Sequence, residues 1–156
     1  MKFQTLRFGE IDVDESLVIQ MKGGILGFEH LQHYFLLIQD QKNPLWWLQS
    51  REDGAVAFVV VDPAAIKPDY HPVIQKTDKD FLEIVREEDL SILAIVTIRS
   101  QPFRVTANLR APLIINTAKR LGSQIVLEDA EYPIRYPICS AETTEERMST
   151  AGAGCI

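Results

Sequence analysis

The chain has 156 residues, 46% hydrophobic and 24% charged, the balance of one globular domain that buries roughly 70% of its unfolded surface without a disulfide or metal staple. Its formal net charge of −6 repels phosphate backbones and weighs against direct binding to nucleic acid. The two cysteines, Cys139 and Cys155, lie near the C-terminus, where they provide no disulfide framework and fit a reducing compartment.

The opening residues, Met1-Lys2-Phe3-Gln4, run straight into alternating polar and apolar positions and lack a signal-peptide core. The longest apolar runs, residues 55–61 and 92–98, are too short to cross a bilayer. A cytosolic chain with no membrane partner is therefore expected. Residues 2–13 alternate in short bursts around Phe8-Gly9-Glu10, which predicts two short strands joined by a tight turn that uses the backbone freedom of Gly9. Leu17-Val18-Ile19 predicts a third strand, followed by a loop carrying Gly23, Gly24 and Gly27. Residues 34–38 form the next apolar run and end in the turn-forming stretch 40–44.

Residues 45–50 and 55–61 read as a hairpin around Arg51-Glu52-Asp53-Gly54, because Asp-Gly between apolar runs favours a tight turn. Asp62-Pro63 ends the second strand, since proline cannot donate to a ladder. Pro63, Pro68 and Pro72 then predict an extended crossing loop. Residues 77–88 are expected to form one short surface helix, with Thr77 and Asp80 spaced as a capping box and Phe81, Leu82 and Val85 on one face. Strands are expected at 92–98, 105–109, 113–116 and 124–127, with a turn at 119–123 carrying the basic pair Lys119-Arg120. Residues 139–156 are small, polar or acidic and are expected to form a disordered tail. The pattern predicts an all-β fold: a small antiparallel β-barrel-like domain over residues 1–138 with one short helix.

Phosphate-loop, Gly-x-Ser-x-Gly and Cys-x-x-Cys signatures are absent. His30 and His33 are spaced three apart, as ligands on a helix face would be, yet no cysteine adjoins them and the His-Glu-x-x-His order is not met. A solvated polar stretch fits them better. Glu128, Asp129 and Glu131 form an acidic cluster beside Tyr132-Pro133, which reads as a solvated strand end turning into a loop rather than as an acid/base pair. No cofactor and no catalysis are expected. Trp46 and Trp47, adjacent in a strand, must face opposite sides. Either both sides are covered within the domain, or one exposes an apolar patch that receives a partner.

Several segments, in order, carry a resemblance: Gly24-Ile25-Leu26-Gly27-Phe28-Glu29, Trp47-Leu48-Gln49-Ser50, residues 58–63, Pro68-Asp69-Tyr70 and Ala94-Ile95-Val96-Thr97. The block from Asn108-Leu109-Arg110-Ala111-Pro112 to Ile115-Asn116-Thr117 follows, then Tyr132-Pro133-Ile134-Arg135. Over residues 1–138 the chain resembles the FliW family of flagellar assembly factors. It departs at Met21-Lys22, where the family commonly has Phe-Pro. The resemblance implies a cytoplasmic, non-enzymatic β-barrel protein, monomeric when free, that chaperones flagellin. It also implies binding to the RNA-binding regulator CsrA, in competition with flagellin and away from the RNA site, so that flagellin level is coupled to flagellin translation. The acidic charge agrees with a basic partner. Protein-binding positions implied by the motifs, with the Trp46 strand added, are Trp46, Tyr70, Asn108, Arg110, Asn116, Glu128, Tyr132 and Arg135; Asn108 and Asn116 are also of the type that satisfies backbone groups in tight turns. Two rival expectations stand beside this: a flagellin chaperone without a CsrA arm, and a small-molecule-binding or hydrolytic β-barrel using His30, His33 and the acidic cluster.

Overall fold

The computed structural model describes residues 2–38, 40–100, 102–128 and 131–139. In chain order the strands are β1 (Lys2–Thr5), β2 (Gly9–Asp12), β3 (Ile19–Met21), β4 (His33–Leu37), β5 (Leu45–Ser50), β6 (Ala57–Val61), β7 (Leu90–Ser100), β8 (Phe103–Ala107), β9 (Leu113–Asn116), β10 (Leu121–Gln124) and β11 (Tyr136–Cys139). Two short helices, α1 (Pro63–Ile66) and α2 (Lys76–Phe81), lie between β6 and β7. The expected tail beyond residue 139, with Cys155, lies outside the described residues.

Closure comes from the long strand β7. It pairs with β6 along one side, and neighbours then follow as β5, β4, β3, β10 and β9. β9 returns to the first half of β7, with Leu90 opposite Asn116 and Leu93 opposite Leu113. Those seven strands form a closed barrel, which removes exposed edges around the circuit. One pairing departs from the antiparallel expectation: β3 and β10 run parallel. The second half of β7 continues past the barrel and carries β8 and then β11 as an extension. The β1–β2 hairpin forms as the alternation predicts, with Gly9 at φ +68°.

Period-two alternation sorts the side chains into two layers. Met21, Tyr34, Leu48, Val60, Leu93 and Leu113 fill the interior. Val61, Ala94, Val96, Val105 and Ala107 form an outer layer under Tyr70, Leu109 and Leu127. Each fully buried Leu, Ile or Val contributes about 1.5–3 kcal/mol. Both faces of β5 and β6 are thus used, which explains why neither is polar. Trp46 packs against the interior cluster. Trp47 faces outward, where Phe8 meets it edge-on at 5.6 Å and the Arg7 guanidinium lies 4.4 Å from its ring centre.

Several local expectations are corrected. The predicted crossing loop contains helix α1, because Asp62 caps it through Oδ1 to the Ala64 N–H (3.0 Å) and proline is tolerated in a first turn. Helix α2 starts at a Gln75 cap with no side-chain bond, so Thr77 and Asp80 form no capping box. It also stops early, at Phe81, and the chain turns through a left-handed Glu83 at φ 57°. Leu82 is consequently buried, whereas Val85 is 91% exposed. The predicted third strand, 17–19, is replaced by a 3-10 turn at Glu15–Leu17 and a strand starting at Ile19. The predicted strand 124–127 lies three residues earlier, as β10, since its register follows β9 and β3. Met21, at the departure from the family pattern, ends strand β3 with no exposed surface.

Candidate functional site

Three of the motif segments, around Tyr70, Asn108 and Tyr132, converge at one corner of the molecule. Asn108 sits just past β8, and its Oδ1 accepts the backbone N–H groups of Arg110 (3.1 Å) and Ala111 (3.0 Å). That bonding is the short-range habit of asparagine in tight turns, and it presents the backbone of the turn to a second segment. Leu109 N–H donates to Pro133 O (3.0 Å), and Leu127 N–H donates to Arg110 O (2.7 Å). Arg110 Nε then donates to the Tyr132 carbonyl (3.2 Å).

Tyr132 is held over Tyr70 by these contacts. The two rings meet edge-to-face, 4.7 Å between centres at 72°. Tyr70 OH donates to Leu109 O at 2.8 Å, while Tyr132 OH accepts the His71 N–H at 3.2 Å. Burial, with a smaller contribution from neighbouring Tyr132, pushes the Tyr70 phenol far above its usual range, so it stays a neutral donor. Lys67 and Asp69, 3.0 Å apart, flank the turn before it. Their hydrogen bond raises the ammonium pKa and lowers the carboxyl.

Beside the tyrosines lies a cleft of about 290 Å³ lined by His71, Val73, Gln75, Leu127, Glu128 and Tyr132. Val73, Val126 and Ile134 are exposed, at 77%, 59% and 55%, and Glu128 and Glu131 are exposed as well. An apolar surface with a carboxylate at its margin can bind a protein segment, with the acid setting the sign of the partner. Of the motif residues, Tyr70, Asn108, Arg110, Glu128 and Tyr132 build this corner. Arg135 is exposed in the turn before β11. Asp129 lies outside the described residues.

Trp46 and Asn116 lie elsewhere. Trp46 packs on the barrel interior. Asn116 is 1% exposed, and its amide donates to Leu82 O (2.9 Å) and Glu83 O (3.0 Å). Its Oδ1 accepts from Ala118 N–H (3.0 Å) and Lys119 N–H (3.2 Å). It ties the end of α2 to the β9–β10 turn. Lys119 and Arg120 work in the same turn: Lys119 pairs with Glu83 at 3.0 Å, and Arg120 Nη2 donates to Leu17 O at 2.8 Å.

His33 opens β4, and its Nδ1 lies 3.1 Å from Glu52 Oε1. The same oxygen accepts the backbone N–H groups of Gln32 and His33 at 2.6 and 2.8 Å. These bonds, the one from Gln32 first, hold the Glu52 carboxyl below its ordinary value. His30 is exposed in the preceding turn, so the two histidines share no helix face. Among the described residues no group of three or more His, Cys, Asp or Glu is placed to hold a metal ion. No helix among them is long and apolar enough to cross a membrane.

The cleft residues His71, Val73, Gln75 and Leu127 carry no motif of their own. Their proximity arises from pairing between segments more than fifty positions apart, as in the His71–Tyr132 bond, and periodicity within a segment carries no such signal.

Comparison with known proteins fits this architecture. The family model described as FliW protein matches residues 2–138. A flagellar assembly factor FliW from Syntrophus aciditrophicus is 52% identical over 138 residues, covering 88% of this chain and 87% of the relative. Another, from Caldicellulosiruptor saccharolyticus, is 41% identical over 129 residues, covering 83% and 84%. A crystal structure of the flagellar assembly factor FliW aligns with a TM-score of 0.81 at 30% identity, over 90% of this chain and 98% of that one. The chain belongs to the FliW family of flagellar assembly factors.

Proposed function

We propose that this chain works in the cytoplasm as a non-enzymatic, protein-binding assembly factor that holds flagellin before export and binds the RNA-binding regulator CsrA, the two competing for it. Membership of a flagellar assembly family supports the first half. The corner carries the reading. Val73 is exposed in the cleft beside a tyrosine pair whose hydrogen bonds are already satisfied internally, and Val126 and Ile134 are exposed on the two segments that also supply Leu127 and Tyr132. Such a surface has rigid aromatic support and apolar area to bury, as interface centres do. Glu128 at its margin and the net charge of −6 favour a basic partner and speed its encounter.

The test is titration calorimetry of the purified chain with flagellin and with CsrA, each alone and after saturation with the other. Mutual exclusion is expected, and the association rate with CsrA should fall as salt rises. Tyr132→Ala with Val73→Asp should weaken both. No binding to either partner at tens of micromolar overturns the proposal. Binding to flagellin alone leaves a chaperone without a regulatory arm.

A further inference from the structure

β7 is eleven residues long, but its pairing with β6 stops at Val59 opposite Val96. On the β6 side, Thr97, Ile98, Arg99 and Ser100 therefore have no strand neighbour among the described residues, although their other side is fully laddered to β8. All four are exposed. Where that pairing ends lies a groove of about 510 Å³, lined by Trp47, Ala57, Val59, Val96 and Ile98. Unpaired backbone beside an apolar groove is the arrangement that receives an added strand.

Charge identifies what the groove takes. The chain is acidic, and seven of its cations (Lys2, Arg51, Lys67, Lys76, Lys79, Arg86 and Lys119) have carboxylate partners. The free edge holds two of the cations that have none. Arg99 lies directly opposite Arg104, both are exposed, and neither has an ion pair among the described residues. Like charges placed opposite each other across a ladder are destabilising, so an anionic neighbour relieves them. Arg7, which also lines the groove, rests its guanidinium on the Trp47 ring, with no carboxylate partner among the described residues.

We propose that a partner protein donates an extended acidic segment to this edge as an added strand beside Thr97–Ser100. Alternate side chains of the segment are apolar and fill the groove over Trp47 and Ile98. The intervening carboxylates lie on the face of Arg99 and Arg104. This surface is distinct from the tyrosine corner and takes a partner of opposite sign, so it operates whether or not the corner binds CsrA or flagellin.

A short fluorescein-labelled peptide of alternating aspartate and valine, titrated against the full chain by fluorescence anisotropy, tests it. Saturable, salt-sensitive binding is expected, with a change in Trp47 emission as Arg7 leaves the ring. The lysine–valine counterpart, which the acidic corner can attract, should not displace the acidic peptide. Arg99→Glu with Arg104→Glu should weaken binding at least about tenfold, roughly one good charge-assisted bond, with the circular dichroism spectrum unchanged. Amide groups of a strand point alternately to its two sides. N-methylating every second amide in one frame should therefore abolish binding, and doing so in the other frame should spare it. Three results each overturn the proposal: no saturable binding, which leaves the arginines as mere guards against edge-to-edge aggregation; displacement of the acidic peptide by the lysine peptide; or equal loss in both N-methyl frames.

Discussion

Replacing Asn116 with alanine separates a binding role from a structural one. The side chain makes four hydrogen bonds, two donated to Leu82 O and Glu83 O and two accepted from Ala118 and Lys119 N–H. Leu82 and Asn116 are both buried, so water replaces few of the lost partners. At about 1 kcal/mol net per bond, reduced because the bonds are shared within single turns, Asn116→Ala should cost about 3 kcal/mol. For a domain of this size that lowers Tm by about 6–12 °C. Urea unfolding followed by tryptophan emission gives the free energy, and the denaturant slope should stay unchanged. Asn116→Asp keeps both accepted bonds but points a carboxylate at two carbonyl oxygens, so it should be at least as damaging. Partner affinity of the folded variant should be near that of the parent. A loss below about 1 kcal/mol, or a mild Asp variant, would refute the view that the donated pair anchors α2.

Gly54→Ala places a Cβ 2.4 Å from Gln4 O beside the Leu6 N–H to Gly54 O bond (2.9 Å). It should cost about 1–3 kcal/mol and loosen the β1–β2 hairpin, seen as altered Trp47 emission and faster amide exchange in residues 2–12. Tyr70→Phe removes the bond to Leu109 O and should cost about 1 kcal/mol, with unchanged partner affinity if Tyr132 stays seated. The Glu52 carboxyl is depressed in the folded state from its ordinary value of 4.5. Its contribution is therefore present above pH 4.5 and is lost as pH falls through the folded value. Glu52→Gln should give a shallower decline of stability with acid in urea titrations below that pH, and an unchanged slope would contradict the assignment.

Much of the strand content was legible because apolar alternation and Gly/Pro punctuation are local signals. Residues 45–50 and 113–116 are strands at their expected bounds, and Asp62-Pro63 ends β6 where proline demands it. Errors fall where distant groups set the outcome. Asn116 accompanies the end of α2, and β9 and β3 set the register of β10. Tyr70, Glu128 and Tyr132 could be singled out from their motifs, but their meeting with His71 and Val73 in one cleft could not. The sequence by itself determined an acidic, strand-rich domain and its family, because composition, alternation and ordered motifs survive without coordinates. Tertiary structure alone decided barrel closure through β7, the burial of Asn116, and the free edge at Thr97–Ser100. Each depends on which strands become neighbours, a choice made by non-local hydrogen bonding and packing.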